Sequence, residues 1–481
     1  MTILAVDFAS KGRSVSSDAV RAECAELLRL GRKLSEKVTS VDPSLQAWQA
    51  AVSALSAADF PPWTAEAELD RLVLALRRIC LGVAHATSDR MLRSPRDRDR
   101  AVAPDGEEIA FGYERDLRPD FLEARCADYA GAPRGWVGEH LLFSSGQAAL
   151  NGLLLALSPR SANPANPPRI RHLGGYFETE ELLAMLAQHG MARELPKDGD
   201  EPADVLIVEP VYFDRAAQSH AIDVRAALAR HIERAAGAPS LVIIDSTLTE
   251  PLCDIGRWLP AKVGTNAAGQ LIANLRSGLK LHQVGLELAN VGIVSLYRPE
   301  GITLESDPAE KLRKARTLTG AGLGLDAMAA LDAPWFLDRE TARFYADAVF
   351  ANNALLAERV AEIDGLFSLI SHPALGASND NPPNGNACAA PYCLLQLHED
   401  SPENYRLLEA IIAREAKARN LRLDKGGSFG FRSHRYEAIL PQAGEITPFL
   451  RVAMGARGGW SRDGIVDLFR EIARAPSLDA L

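Results

Sequence analysis

Lys280 and Asp245 are the residues of this chain whose type and placement suit them to act as a chemical pair. Asp245 closes the apolar run Leu241-Val242-Ile243-Ile244, and Lys280 ends the run Asn274-Leu275-Arg276-Ser277-Gly278-Leu279. A lysine amine condenses with a carbonyl when burial favours its neutral form. A carboxylate held on a rigid strand end keeps a heteroaromatic nitrogen protonated. Acting on opposite ends of one aromatic aldehyde, the two would create an electron sink for a carbanion next to an amino group. Taken singly, a lysine is most often a solvated surface charge and an acid after a strand is often a cap. Lys280, however, lies between Leu279 and Leu281, where an idle ammonium would carry a desolvation cost.

Other residues extend this constellation. Ser145-Gly146-Gln147 precedes a helical run, so its exposed N–H groups and the helix dipole would favour a phosphate. Ser277, three residues before Lys280, can offer a hydroxyl to the same group. Tyr176, after Gly174-Gly175, is a candidate to stack on a flat ring. Arg451 stands alone in the apolar run Phe449-Leu450-Arg451-Val452-Ala453, and an arginine there needs an anion such as an amino-acid carboxylate. Pyridoxal phosphate is the cofactor these groups suit.

The elements that must position them can be traced along the chain. Residues 1–105 read as a helical extension: Ser17-Asp18 caps a helix through Val20, Cys24, Leu27 and Leu28, and residues 65–91 form a second with Leu69, Leu72, Leu74, Leu76 and Ile79. From 106 to 340, apolar strand candidates at 205–208, 241–244, 271–273 and 291–296 alternate with helical stretches. This is the rhythm of an α/β domain with a mostly parallel sheet, whose ligands gather at the strands' carboxyl ends. Residues 341–481 read as a long interdomain helix (339–363), a polar loop (377–386) and a smaller α+β domain with a strand at 392–397 and helices at 404–420 and 461–474.

With 481 residues, 47% of them hydrophobic, the chain exceeds one simple domain. Its net charge of −10 argues against a nucleic-acid partner, and the charges of residues 1–100 nearly cancel. Six scattered cysteines show no metal-site spacing and read as small buried hydrophobes of a reducing compartment. The amino terminus has no signal-peptide pattern, and no stretch has the ~18 apolar residues of a membrane span. A cytoplasmic location is expected.

In order and spacing, these pieces resemble the Cys/Met-metabolism family of pyridoxal phosphate enzymes, the cystathionine γ-synthase and lyase group, over about residues 108–475. Tyr113-Glu114-Arg115 resembles the family's Tyr-x-Arg, which reaches a neighbouring subunit's phosphate. Ser145-Gly146-Gln147-Ala148-Ala149 resembles its phosphate loop, and Tyr176 with Thr179 its stacking tyrosine. Asp245-Ser246-Thr247 resembles its Asp-Asn-Thr, and Ser277-Gly278-Leu279-Lys280 its Ser-x-Thr-Lys. Ser428-Phe429-Gly430 stands for Ser-Leu-Gly, and Arg451 with Gly455 for the carboxylate-binding Arg and the glycine after it.

Three departures stand out: Leu279 replaces a threonine, Tyr212 stands where the family has an asparagine near the substrate carboxylate, and the helical extension of about 105 residues is longer than the short arm expected there. The resemblance implies a fold type I (aspartate aminotransferase-like) α/β enzyme that forms a homodimer or homotetramer with shared active sites. The implied site has Lys280, Tyr176 and Asp245 in catalysis, and Tyr113, Arg115, Ser145, Gly146, Gln147, Thr247 and Ser277 on the cofactor. Arg451, Ser428 and Tyr212 would meet the substrate. The expected reaction is γ-elimination from an L-amino acid in specialised metabolism, for example loss of a γ-halide to leave an alkynyl or unsaturated product. The alternatives are γ-replacement on an activated homoserine or a sulfonium donor, and transamination.

Overall fold

The computed structural model describes residues 12–37, 42–88, 92–94, 96, 101–102, 108–109, 111–159, 166–251, 255–259, 269–302, 306–376, 389–440 and 447–481. The polar loop at 377–386, the amino-terminal residues 1–11, Cys253 and Cys388 lie outside them. Cys24, Cys80, Cys126 and Cys393 are buried free thiols.

A seven-stranded sheet forms the larger layer, in the order Trp136–Phe143, Gly292–Pro299, Gln270–Ser277, Ser240–Asp245, Val205–Val208, Arg169–Leu173, Arg193–Leu195. Only Gly292–Pro299 runs antiparallel to its neighbours. Both faces are covered. Leu241 and Ile243 pack with Leu150 and Leu153 of the helix Gly146–Leu157, while Val242 and Ile244 pack on the opposite side with Val224 and Leu228. Burial on both faces explains why this strand is apolar at every position until Asp245.

The strands of the parallel set end at one edge, where Ser144-Ser145-Gly146, Gly174-Gly175-Tyr176, Glu209, Asp245 and the turn to Lys280 follow them. In a sheet of this kind, this is where ligands bind.

A five-stranded sheet follows in the order Phe367–Ser371, Cys393–Leu397, Phe449–Ala453, His434–Ile439, Leu423–Lys425. It is antiparallel except for its last pair. The helices Arg339–Ala361, Pro402–Ala418 and Trp460–Arg474 supply Leu356, Leu408 and Phe469 to its core.

The extension holds three helices, α1 (Gly12–Lys37), α2 (Pro43–Ala57) and α3 (Pro62–Ser88). Ser17 and Asp18 therefore lie inside α1 and do not cap it. Helix α2 is absent from the sequence reading; Asp42 caps it by accepting the N–H of Ser44 at 2.8 Å, with Pro43 in its first turn. Leu74, expected to face inward, is exposed. The inner faces of all three helices share one core with Leu281, Val284, Leu286 and Leu288, the segment that directly follows Lys280.

Candidate active site

Asp245 sits at its strand's carboxyl end, where the side-chain alternation places it on the face that the helix Gly146–Leu157 covers. Its carboxylate accepts the N–H of Thr247 at 2.9 Å. Burial, reinforced by the nearby Glu209 carboxylate, raises its pKa to about 6.

Thr247 carries the network onward, since its hydroxyl accepts the N–H of Ser277 at 3.0 Å. Ser277 in turn abuts the helix that begins at Gly146: a Cβ at Gly146 would lie 3.6 Å from the Cβ of Ser277. Ser145 caps that helix by accepting the N–H of Ala148 at 3.0 Å. The N–H groups of Gly146 and Gln147 open its first turn, where no intrahelical acceptor exists. Gly292 is the floor, because a Cβ there would fall 2.1 Å from the Ser145 carbonyl oxygen.

Lys280 is half-buried, and its ammonium donates to the hydroxyl of Ser428. Desolvation, and then the charge of Arg451, lowers its proton affinity. Ser428 adopts φ 70°, a left-handed conformation that a non-glycine residue holds only at a cost.

Residues the sequence did not single out complete the wall. Lys280 Nζ lies 5.2 Å from the ring centroid of Phe429, and Arg451 lies 5.8 Å from that of Tyr392. Phe213, Tyr392 and Phe429 form a row with centroid spacings of 4.7 and 5.4 Å, which links a separate two-stranded ribbon (Val211–Phe213 with Ser219–Ala221) to the small-domain sheet. Val211 and Phe213, rather than Tyr212, are thus the residues of that ribbon that pack in one cluster with Leu394 of the small sheet. Tyr212 stacks on His220 at 4.8 Å under Lys197, and among the described residues it bonds to neither Lys280 nor Arg451.

Tyr176 starts the helix Phe177–Gln188 and is fixed through its backbone. Glu209 accepts the N–H of Gly175 at 3.1 Å and that of Tyr176 at 3.2 Å, and it pairs with His172 at 2.8 Å. Partial burial of its hydroxyl, then Glu178 and Asp245, pushes the Tyr176 phenol above its ordinary range.

Tyr113 is exposed, and Arg115 lies 5.4 Å from its ring centroid; among the described residues neither bonds to Lys280 or Asp245. Arg451, in register between Leu394 and Glu437, pairs with the Glu437 carboxylate. A separate cavity of about 60 Å³ lies beside Tyr129, Glu250, Asn274 and the fully buried Arg276.

No family model and no curated protein matches the sequence. Solved structures do. Apo methionine γ-lyase from Micromonospora echinospora matches with 18% identity and a TM-score of 0.53, over 80% of this chain and 91% of that one. Cystathionine γ-synthase from Xanthomonas oryzae pv. oryzae, in complex with aminoacrylate and cysteine, matches with 15% identity and a TM-score of 0.53, over 83% and 99%. Cystathionine γ-lyase from yeast matches with 14% identity and a TM-score of 0.53, over 83% and 98%. The chain has the fold of these enzymes, the fold type I architecture expected from the sequence.

Proposed function

We propose that the protein is a pyridoxal phosphate enzyme that removes a γ-substituent from an amino acid. The observation that carries this reading is a geometry: Asp245 ends its strand in register with Leu275, and Thr247 accepts the N–H of Ser277 on the neighbouring strand that leads to the half-buried Lys280. Asp245 is held by the backbone and side chain of Thr247 in a desolvated seat, and a cationic ring nitrogen there would restore its ordinary acidity. The residues present fit the cofactor. Ser145, the amides of Gly146 and Gln147, Thr247 and Ser277 would hold its phosphate end, and Tyr176 would lie against its ring. When bound, the cofactor supplies an electron sink for charge that develops at the substrate's α-carbon.

Lys280, largely withdrawn from water, takes the proton from Cα and returns it elsewhere; Ser428 orients its amine. Releasing a γ-substituent requires a second proton to leave Cβ, and Lys280 serves as base for both. Arg451 receives the substrate carboxylate. Tyr113 and Arg115, on the surface, serve the site of a second copy.

Borohydride reduction followed by peptide mapping tests the assignment: the cofactor should be found on Lys280, and an adduct on another lysine overturns it. Lys280→Ala should lower turnover at least about a thousandfold while the protein stays folded by circular dichroism. Arg451→Ala should raise KM about tenfold or more with a smaller change in kcat.

A further inference from the structure

The seat assigned to the substrate carboxylate already holds a carboxylate. Arg451 pairs with Glu437, which lies directly across the strands from it. Glu437 also lies against the turn that leads to the lysine's hydrogen-bond partner: a Cβ at Gly427 would lie 3.3 Å from both Glu437 oxygens, and the next residue, Ser428, accepts the hydrogen bond from Lys280. Two positions earlier, on the same face of the strand, Arg435 pairs with Glu287 at 3.3 Å. Both arginines of this wall are therefore neutralised by the protein's own acids.

The side chains of Arg451 and Glu437 are 22% and 31% exposed, so solvent reaches their pair and an incoming carboxylate can displace or share it. The fate of Glu437 then distinguishes substrates. With a neutral side chain on the substrate, two carboxylates divide one guanidinium in a half-desolvated wall. A second substrate carboxylate adds repulsion. A fixed cation on the substrate restores the balance, one charge for one charge.

We propose that this site selects amino acids carrying a cationic γ-substituent, and that Glu437 is the residue that selects them. The inference rests on the amino-acid reading of the site and names its substrate class. A γ-sulfonium is the member of that class that is also a leaving group. In its elimination, a proton leaves Cβ for Lys280 and then solvent, a double bond forms between Cβ and Cγ, and the C–S bond breaks with its electron pair going to sulfur. The products are a neutral thioether, a β,γ-unsaturated amino acid and a proton. No anion is released into a wall that already contains Glu437 and Glu287.

The test is equilibrium binding to the cofactor-loaded protein, read from the cofactor's absorbance, with S-methylmethionine, methionine and glutamate as cationic, neutral and anionic probes. The wild type should bind the sulfonium at least about fivefold tighter than methionine, and glutamate most weakly. Glu437→Gln should bring the sulfonium-to-methionine ratio to about one, whereas Glu437→Asp, which keeps the charge, should retain the preference. Equal binding by the wild type, or a preference that survives in Glu437→Gln, overturns the selectivity alone. Failure of all three probes to bind overturns the amino-acid reading with it.

Discussion

Asp245 binds its proton more tightly folded than unfolded, and the sign of its effect on stability follows from that. Between its ordinary value of 3.8 and about 6, the folded cofactor-free chain keeps a proton that the unfolded chain releases, so stability falls as pH rises through that window. The shift of about two units corresponds to at most about 3 kcal/mol. Asp245→Asn should therefore stabilise the cofactor-free protein at pH 8, by about 1 to 3 kcal/mol in urea unfolding, and leave it unchanged near pH 3.5. The same variant should weaken cofactor binding. A destabilised Asp245→Asn apoprotein at pH 8 would contradict the account.

Gly174 offers a second check. A Cβ there would fall 2.3 Å from His172 Nε2 and 2.4 Å from Glu209 Oε1. Gly174→Ala must then push apart the pair that fixes Tyr176, and cofactor affinity measured by fluorescence titration should drop about tenfold. The position of Asp245 at a strand end was legible in the sequence because it closes the apolar run Leu241-Val242-Ile243-Ile244, which forms a buried strand. Glu209 and His172 were not, because strands from distant parts of the chain bring them together and neither sits in a pattern of its own.

At the scale of elements, burial on both faces made the strands at 205–208 and 241–244 readable as apolar runs. Helix α2 leaves no clear pattern in the sequence because its buried residues Leu45, Trp48, Val52 and Leu55 are diluted among Ala, Ser and Gln, which leaves little contrast between its faces. The pairing of Glu437 with Arg451 depends on strand register, which no local pattern encodes.

What the extension does is likewise visible only in the packed structure. Arg432 and Arg457, side chains 4% and 1% exposed, reach Glu23 and Glu26 on α1 and Asp70 on α3, with Arg457 to Glu23 at 2.9 Å and Arg432 to Glu26 at 2.9 Å. Arg77 of α3 donates to the carbonyl oxygens of Leu286 and Glu287, both at 3.0 Å. Between these anchors lies the segment after Lys280, where Val284 and Glu287 hold φ values of 46° and 48°. Glu23 is one of two carboxylates on each buried guanidinium, with Glu26 remaining on Arg432 and Asp70 on Arg457, so Glu23→Ala should cost about 1–3 kcal/mol in urea unfolding. A loss below about 1 kcal/mol would mean that the extension does not hold this wall.

Over the whole molecule, the site draws on every layer. The large sheet gives Asp245 and the turn to Lys280, the small sheet gives Arg451 and Glu437, and the row Phe213, Tyr392 and Phe429 runs from the two-stranded ribbon Val211–Phe213 and Ser219–Ala221 to the small-domain sheet. Tyr113 and Arg115 are the exception. Tyr113 is 58% exposed, and among the described residues no carboxylate pairs with Arg115, so a guanidinium and a phenol stand together in solvent on the chain that carries them. An arginine needs an anion to be fixed in place, and a cofactor phosphate held by a second copy would provide one. If so, each site is built from two chains, and defects in Arg115 and Lys280 should complement each other. In a mixed dimer of Arg115→Ala and Lys280→Ala subunits, one site collects both substitutions and the other collects neither. Each variant alone should be nearly inactive, and confirmed mixed dimers should recover turnover through their intact sites. Mixed dimers as inactive as the parent variants would place Arg115 in service of its own chain, or of none.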